Sequence, residues 1–166
     1  MNTGNKKQKG YGLIEIVIIL GLSGILATGI TTFTVQTVTE GAKSNNRMEA
    51  MMQVENAGYW IGRDVQMAAN LTLGENAGFP LQLVWTDIDE NECEVTYTLT
   101  DGQIRRNLVK NDVETVQTFI AQSINTEPAL TNCSYTDGLL TFNVTATREN
   151  SDFSRRYQIK KRLDIR

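Results

Sequence analysis

An α+β protein, with one long amino-terminal helix packed on an antiparallel β-sheet, is what this sequence predicts from three features. An apolar run extends from Leu13 to about Val35, apolar residues then recur at three- and four-residue steps as far as Leu71, and beyond Gly74 the period shortens to two. A helix with one apolar stripe and strands with one apolar face bury each other in two layers. Roughly ninety residues beyond the helix support a modest core in that arrangement.

The first element is long enough for a bilayer. Leu13, Ile14, Ile16, Val17 and their apolar neighbours up to Val35 each favour insertion by roughly 0.3–0.6 kcal/mol, whereas one central acid costs about 3. Insertion wins, and Glu15 stands near an end of the run, where its penalty is smaller. At about 1.5 Å per residue the run makes roughly 35 Å of helix. Lys6, Lys7 and Lys9 precede it with no acid among them, which keeps the amino end in the cytoplasm and the rest of the chain outside.

A basic leader before an apolar helix fits three processing fates. A secretory signal would be cut near Ala27-Thr28-Gly29, but Glu15 would then be a charge without purpose and the apolar character continues past that site. An uncleaved signal anchor is the second fate. The third is cleavage between Gly10 and Tyr11, which leaves the whole helix on the mature chain. Gly21, Gly24 and Gly29, among Ser23, Ala27 and Thr28, expose backbone to other helices without forming a strict GxxxG pair.

The helix is predicted to continue to about residue 72, because Ala50, Val54, Ala57, Ile61, Val65, Ala68 and Leu71 form one stripe. Met48, Met51, Met52 and Met67 are expected to fill gaps between helix and sheet. Gly58 and Gly62 weaken the helix by about 1 kcal/mol each against alanine, and so mark places where a strand comes close.

Strands follow. Leu81, Leu83 and Trp85 alternate with polar residues, as do Val95, Tyr97 and Leu99, and Leu140, Phe142, Val144 and Ala146. Asp101-Gly102 and Asp137-Gly138 supply hairpin turns. Tyr157, Ile159, Leu163 and Ile165 give a last strand carrying Arg155, Arg156, Lys160, Lys161 and Arg162. The stretch from Asp112 to Leu130 suits either a short helix or a strand rich in valine and threonine.

Site chemistry is sparse. Histidine is absent, there is no phosphate-binding glycine loop, and no nucleophile stands beside a base, so neither catalysis nor a cofactor is expected. Cys93 and Cys133 fall in the part expected outside the cytoplasm, where a disulfide between them is anticipated and a metal site is not. On the chain-entropy relation, closing a loop of about forty residues adds roughly 4 kcal/mol. Asp87, Asp89, Glu90, Glu92 and Glu94 lack the spacing of a calcium loop and read as a solvated hairpin edge. Asn70, Asn132 and Asn143 begin short glycosylation patterns. The basic last strand could contact nucleic acid or acidic lipid, but the whole chain has 16 basic and 19 acidic residues, and charge that protects a sheet edge is the simpler reading.

The amino-terminal pattern resembles that of the type IV pilins and the pseudopilins of type II secretion. A short basic leader (Lys6, Lys7, Lys9), a glycine (Gly10), an aromatic residue (Tyr11), then Leu13, Ile14, Glu15 and a long apolar helix stand in the family's order. Tyr11 replaces the commoner phenylalanine, and Gly12 the commoner threonine or serine. The resemblance implies cleavage after Gly10 by a prepilin peptidase, N-methylation of Tyr11, and pairing of Glu15 with the new amine of an adjacent subunit. It divides the chain into a leader, 1–10, a membrane and assembly half of the helix, 11–37, and a head, 38–166. Implied partners are other pilin or pseudopilin subunits, the peptidase, an inner-membrane assembly platform and the bilayer. The layout is most similar to the larger minor members, the J-type pseudopilins and W-type minor pilins, which implies a place in an initiating or tip complex. The competing reading is a membrane-anchored module that binds a ligand or DNA outside any filament.

Overall fold

The computed structural model describes residues 12–161, except for the side chains of Glu114 and Thr115. The chain divides into two compact units, Met1–Ala42 and Lys43–Arg166. One helix, α1 (Leu13–Met67), contributes to both.

In the first unit every described residue is exposed, including the apolar series from Leu13 to Val38. Among the described residues α1 is the one helix long and apolar enough to cross a membrane. Its threonines do not break that character. Thr28, Thr31, Thr32, Thr34, Thr37 and Thr39 each donate a hydroxyl hydrogen bond to the carbonyl four residues earlier, at 2.5–2.9 Å. Each hydroxyl is thus satisfied within its own helix, so it needs no partner from a solvent that offers none.

The second unit is an α+β layer structure, as expected. The stripe Ala50, Val54, Ala57, Ile61, Val65 and Ala68 is buried throughout. It packs on strands β1 (Asn70–Gly74), β2 (Gly78–Thr86), β3 (Glu92–Thr100), β4 (Gln103–Lys110), β5 (Val113–Ala121), β6 (Asn132–Thr136), β7 (Leu139–Arg148) and β8 (Ser151–Lys160). These make two antiparallel sheets where one was expected: β1-β2-β3-β4-β5 and β6-β7-β8. They meet where the Cys133 N–H donates to the Ala77 carbonyl at 2.8 Å. The segment after β5 also runs along β7, with Asn125 N–H donating to Thr145 O and Thr147 N–H to Ser123 O, both at 2.8 Å.

Several boundaries differ from expectation for identifiable reasons. The helix ends at Met67 rather than near residue 72, because Ala69 N–H is taken by Val84 O at 2.8 Å and Asn70–Gly74 then pairs with β2. Leu71 and Leu73 therefore reach the core by strand alternation instead of helical spacing. The ambiguous stretch resolves in part into β5, where Val116, Thr118 and Phe119 pair with Leu108, Arg106 and Arg105. The methionines do not fill gaps: Met48, Met51, Met52 and Met67 are all exposed. Gly58 does mark a close approach, since any Cβ there would overlap the Tyr157 ring on β8. At Gly62 the nearest side-chain atom, Ile159 Cδ1, would be 3.8 Å from a Cβ, which is ordinary contact. Asp101-Gly102 and Asp137-Gly138 both have positive φ, as their hairpins require. Leu163 and Ile165, expected in the last strand, lie outside the described residues.

Candidate functional site

Glu15 occupies the third position of α1 and is the acidic residue of its first turn. Its carboxylate accepts the Gly12 backbone N–H at 3.1 Å, the reach-back half of a capping box. Negative charge is favoured there, because the unpaired amides at a helix start carry partial positive charge. Gly12, the residue before the helix, supplies that donor from its backbone. Gly10 and Tyr11, the expected cleavage and methylation positions, lie outside the described residues. The chemistry available at this end of the chain is a fixed acid on an exposed apolar helix, with one of its acceptor sites in use.

The head holds a buried polar cluster that the sequence reading missed. Asp64 is fully buried; it accepts from Tyr97 Oη at 2.5 Å, from Arg106 Nε at 2.6 Å and from Arg63 at 3.1 Å and 3.2 Å. The Trp60 ring lies beside both arginines, 4.2 Å from the Arg63 guanidinium carbon and 5.3 Å from that of Arg106. Burial, and then the Asp64 charge, push the Tyr97 hydroxyl well above its ordinary pKa. Burial opposes the Arg106 charge, but the hydrogen bond and the negative charge of Asp64 outweigh it and hold the guanidinium above its usual value. The cluster ties α1 to β3 and β4. The available signal was positional, since Asp64 falls between Ile61 and Ala68 on the buried stripe, where an acid requires partners.

The anticipated disulfide is absent: Cys93 and Cys133 are free and buried. The topology explains it. Cys93 pairs with Trp85 near one end of β2, while Cys133 packs on Gly78 at the other end. Seven residues of strand separate those ends by roughly 23 Å, whereas a disulfide needs Cα atoms within about 7 Å. Burial pushes the Cys133 thiol up to about 12. Burial, and then the nearby Asp87 charge, raise Cys93 as well.

The acidic stretch is organised around Asp87. Asp87 accepts the Asp89 and Asn91 backbone amides, each at 2.9 Å, and pairs with Lys110 Nζ at 2.7 Å. The Lys110 bond, followed by the Asn91 amide, holds the Asp87 carboxyl at about 2. Among the described residues no group of three His, Cys, Asp or Glu side chains could hold a metal ion. An open hollow of about 500 Å³ over β7 and β8 is lined in part by Arg155 and Arg156. Both cations have partners there, Arg155 with Glu55 and Arg156 with the Asn143 side chain at 2.8 Å.

Residues 5–31 match the family described as the prokaryotic N-terminal methylation motif. No curated protein matches the chain, and no solved structure does. The match spans the basic residues, Gly10, Tyr11, Glu15 and the apolar helix start, and with that helix it supports anchoring in a membrane. A methylation motif on an exposed apolar helix that leads into an α+β layer structure supports membership of the type IV pilin and pseudopilin family.

Proposed function

We propose that this chain is a structural subunit of a type IV pilus-like or type II secretion filament, processed after Gly10 by a prepilin peptidase and methylated at Tyr11. The observation that carries the reading is the methylation motif at residues 5–31, with Glu15 in the first turn of a helix whose apolar side chains from Leu13 to Val38 are all exposed. Cleavage creates an amine at Tyr11, close in sequence to Glu15. In lipid an unpaired carboxylate is costly, and the amine of a neighbouring subunit relieves that cost while setting the register between helices. The leader remains on the cytoplasmic side, the head on the other, and an inner-membrane platform adds subunits to the filament base. The narrower reading is a minor subunit of the initiating or tip complex, supported by the resemblance of the layout to the larger minor members.

Mass spectrometry of the chain recovered from membranes tests the processing. A mature amino terminus at Tyr11 carrying one methyl group is expected, and an intact leader or a start near Ile30 overturns the proposal. Filament assembly with Glu15→Gln tests the pairing, with loss of assembly expected and normal filaments contradicting it.

A further inference from the structure

We propose that heads of two copies of this chain join edge to edge, β5 of one against β8 of the next. The two sheets end in these strands, and among the described residues no strand pairs with their outer sides. Such edges present rows of backbone donors and acceptors to any suitable strand, and proteins that do not use them guard them with charge. The two edges differ in that respect. β8 is basic: Arg155, Arg156 and Lys160 are exposed along it. β5 is open: Val116 and Phe119 are about half exposed, on opposite faces of the strand, and no cation occurs within Val113–Ala121.

Charge selects the occupant. Asp112 stands exposed just before β5, and Glu92 and Glu94 line the same small dent beside it. β8 against another β8 would set cations against cations, whereas β8 against β5 meets an edge that carries no cation and has exposed Asp112 at its start, and opposite charges on neighbouring strands attract. The strands match in length, nine residues against ten. Because the two surfaces differ, the contact is head-to-tail and leaves a free β5 and a free β8 at the ends of each pair, the geometry of an open chain of subunits. The inference goes beyond the proposed function, because nothing in it uses Glu15 or the methylated terminus.

Full-length chains in detergent, one carrying Gln117→Cys on β5 and the other Gln158→Cys on β8, test the contact under mild oxidation. Both positions are exposed, whereas the native Cys93 and Cys133 are buried. The expected result is a cross-linked pair in the mixture and in neither chain alone, reduced at least about tenfold when the Gln158→Cys chain also carries Arg156→Glu and Lys160→Glu. Absence of cross-linking overturns the inference. Cross-linking of Gln117→Cys chains to each other indicates a symmetric β5 contact and also overturns it. Repeating the mixture with Glu15→Ala separates the two proposals: cross-linking must persist there whether or not filaments form, and normal filaments without cross-linking sink the head contact alone.

Discussion

Removing the Asp64 carboxylate should be among the most damaging single changes in the head. Asp64→Ala leaves Arg106, only 5% exposed, with its charge buried and with the Trp60 ring 5.3 Å away in place of an acid at 2.6 Å. Breaking one partner out of a buried ion pair costs about 3–5 kcal/mol. The Tyr97 hydroxyl, also fully buried, loses its acceptor in the same step, and leaving such a donor unsatisfied costs about 1–3 kcal/mol. The two losses share a site and do not simply add, so an overall cost of about 4–5 kcal/mol is expected, a large share of a typical domain stability of about 5–15 kcal/mol. Arg63 contributes little of this, because its side chain is 40% exposed and solvent screens the pair. Urea unfolding of the full chain in detergent, followed through Trp60 and Trp85 fluorescence, measures the cost. Tyr97→Phe should be milder, at about 1.5–3 kcal/mol for a bond to a charged group. The combined Asp64→Leu, Tyr97→Phe and Arg106→Met variant should recover most of the loss, since apolar replacement of a whole buried ionic group is often neutral or better. An Asp64→Ala chain within about 1 kcal/mol of the parent would refute the reasoning.

Gly58→Ala forces the Tyr157 ring from its place between Glu55 and Phe142 and should cost about 1–3 kcal/mol in the same unfolding assay, with Tyr157→Ala removing most of that added penalty. Native chains should show two free thiols that react with a soluble thiol reagent only after unfolding; mass spectrometry without reductant that finds a Cys93–Cys133 bridge would contradict the topology. Tyr157 is pushed up to about 12 by burial and then by Glu55, so its contribution to stability is complete below the ordinary tyrosine value near 10 and fades as pH rises toward 12, which alkaline unfolding curves of the parent and Tyr157→Phe chains should separate. Asp87, held at about 2, has the opposite sign: its contribution is complete above 3.8 and fades as pH falls toward 2, readable as loss of protection of the Asp89 and Asn91 amides.

Periodicity made much of this fold legible. The stripe from Ala50 to Ala68 needed only helical spacing, and the hairpins at Asp101-Gly102 and Asp137-Gly138 needed only residues that accept positive φ. What remained hidden depended on pairing across the chain. Leu71 fits both a helical stripe and a strand, and the Val84 carbonyl that captures Ala69 N–H decides between them. β5 has a composition that permits a helix until β4 offers it a partner. The cysteine pairing failed for a related reason: compartment and loop length say that a bridge is allowed, but only strand register says that the two sulfurs face opposite ends of β2. At the amino-terminal site the acid and its position were legible in the sequence. The amide that it accepts was not, because a capping contact depends on where the helix begins.

That contact alters the life of a lone subunit in the bilayer. With one oxygen already occupied by the Gly12 amide, Glu15 does not wait in hydrocarbon as a bare charge. In the proposed assembly, joining a neighbour would then exchange one donor for a better one, and an unassembled subunit would be held in the membrane at less cost.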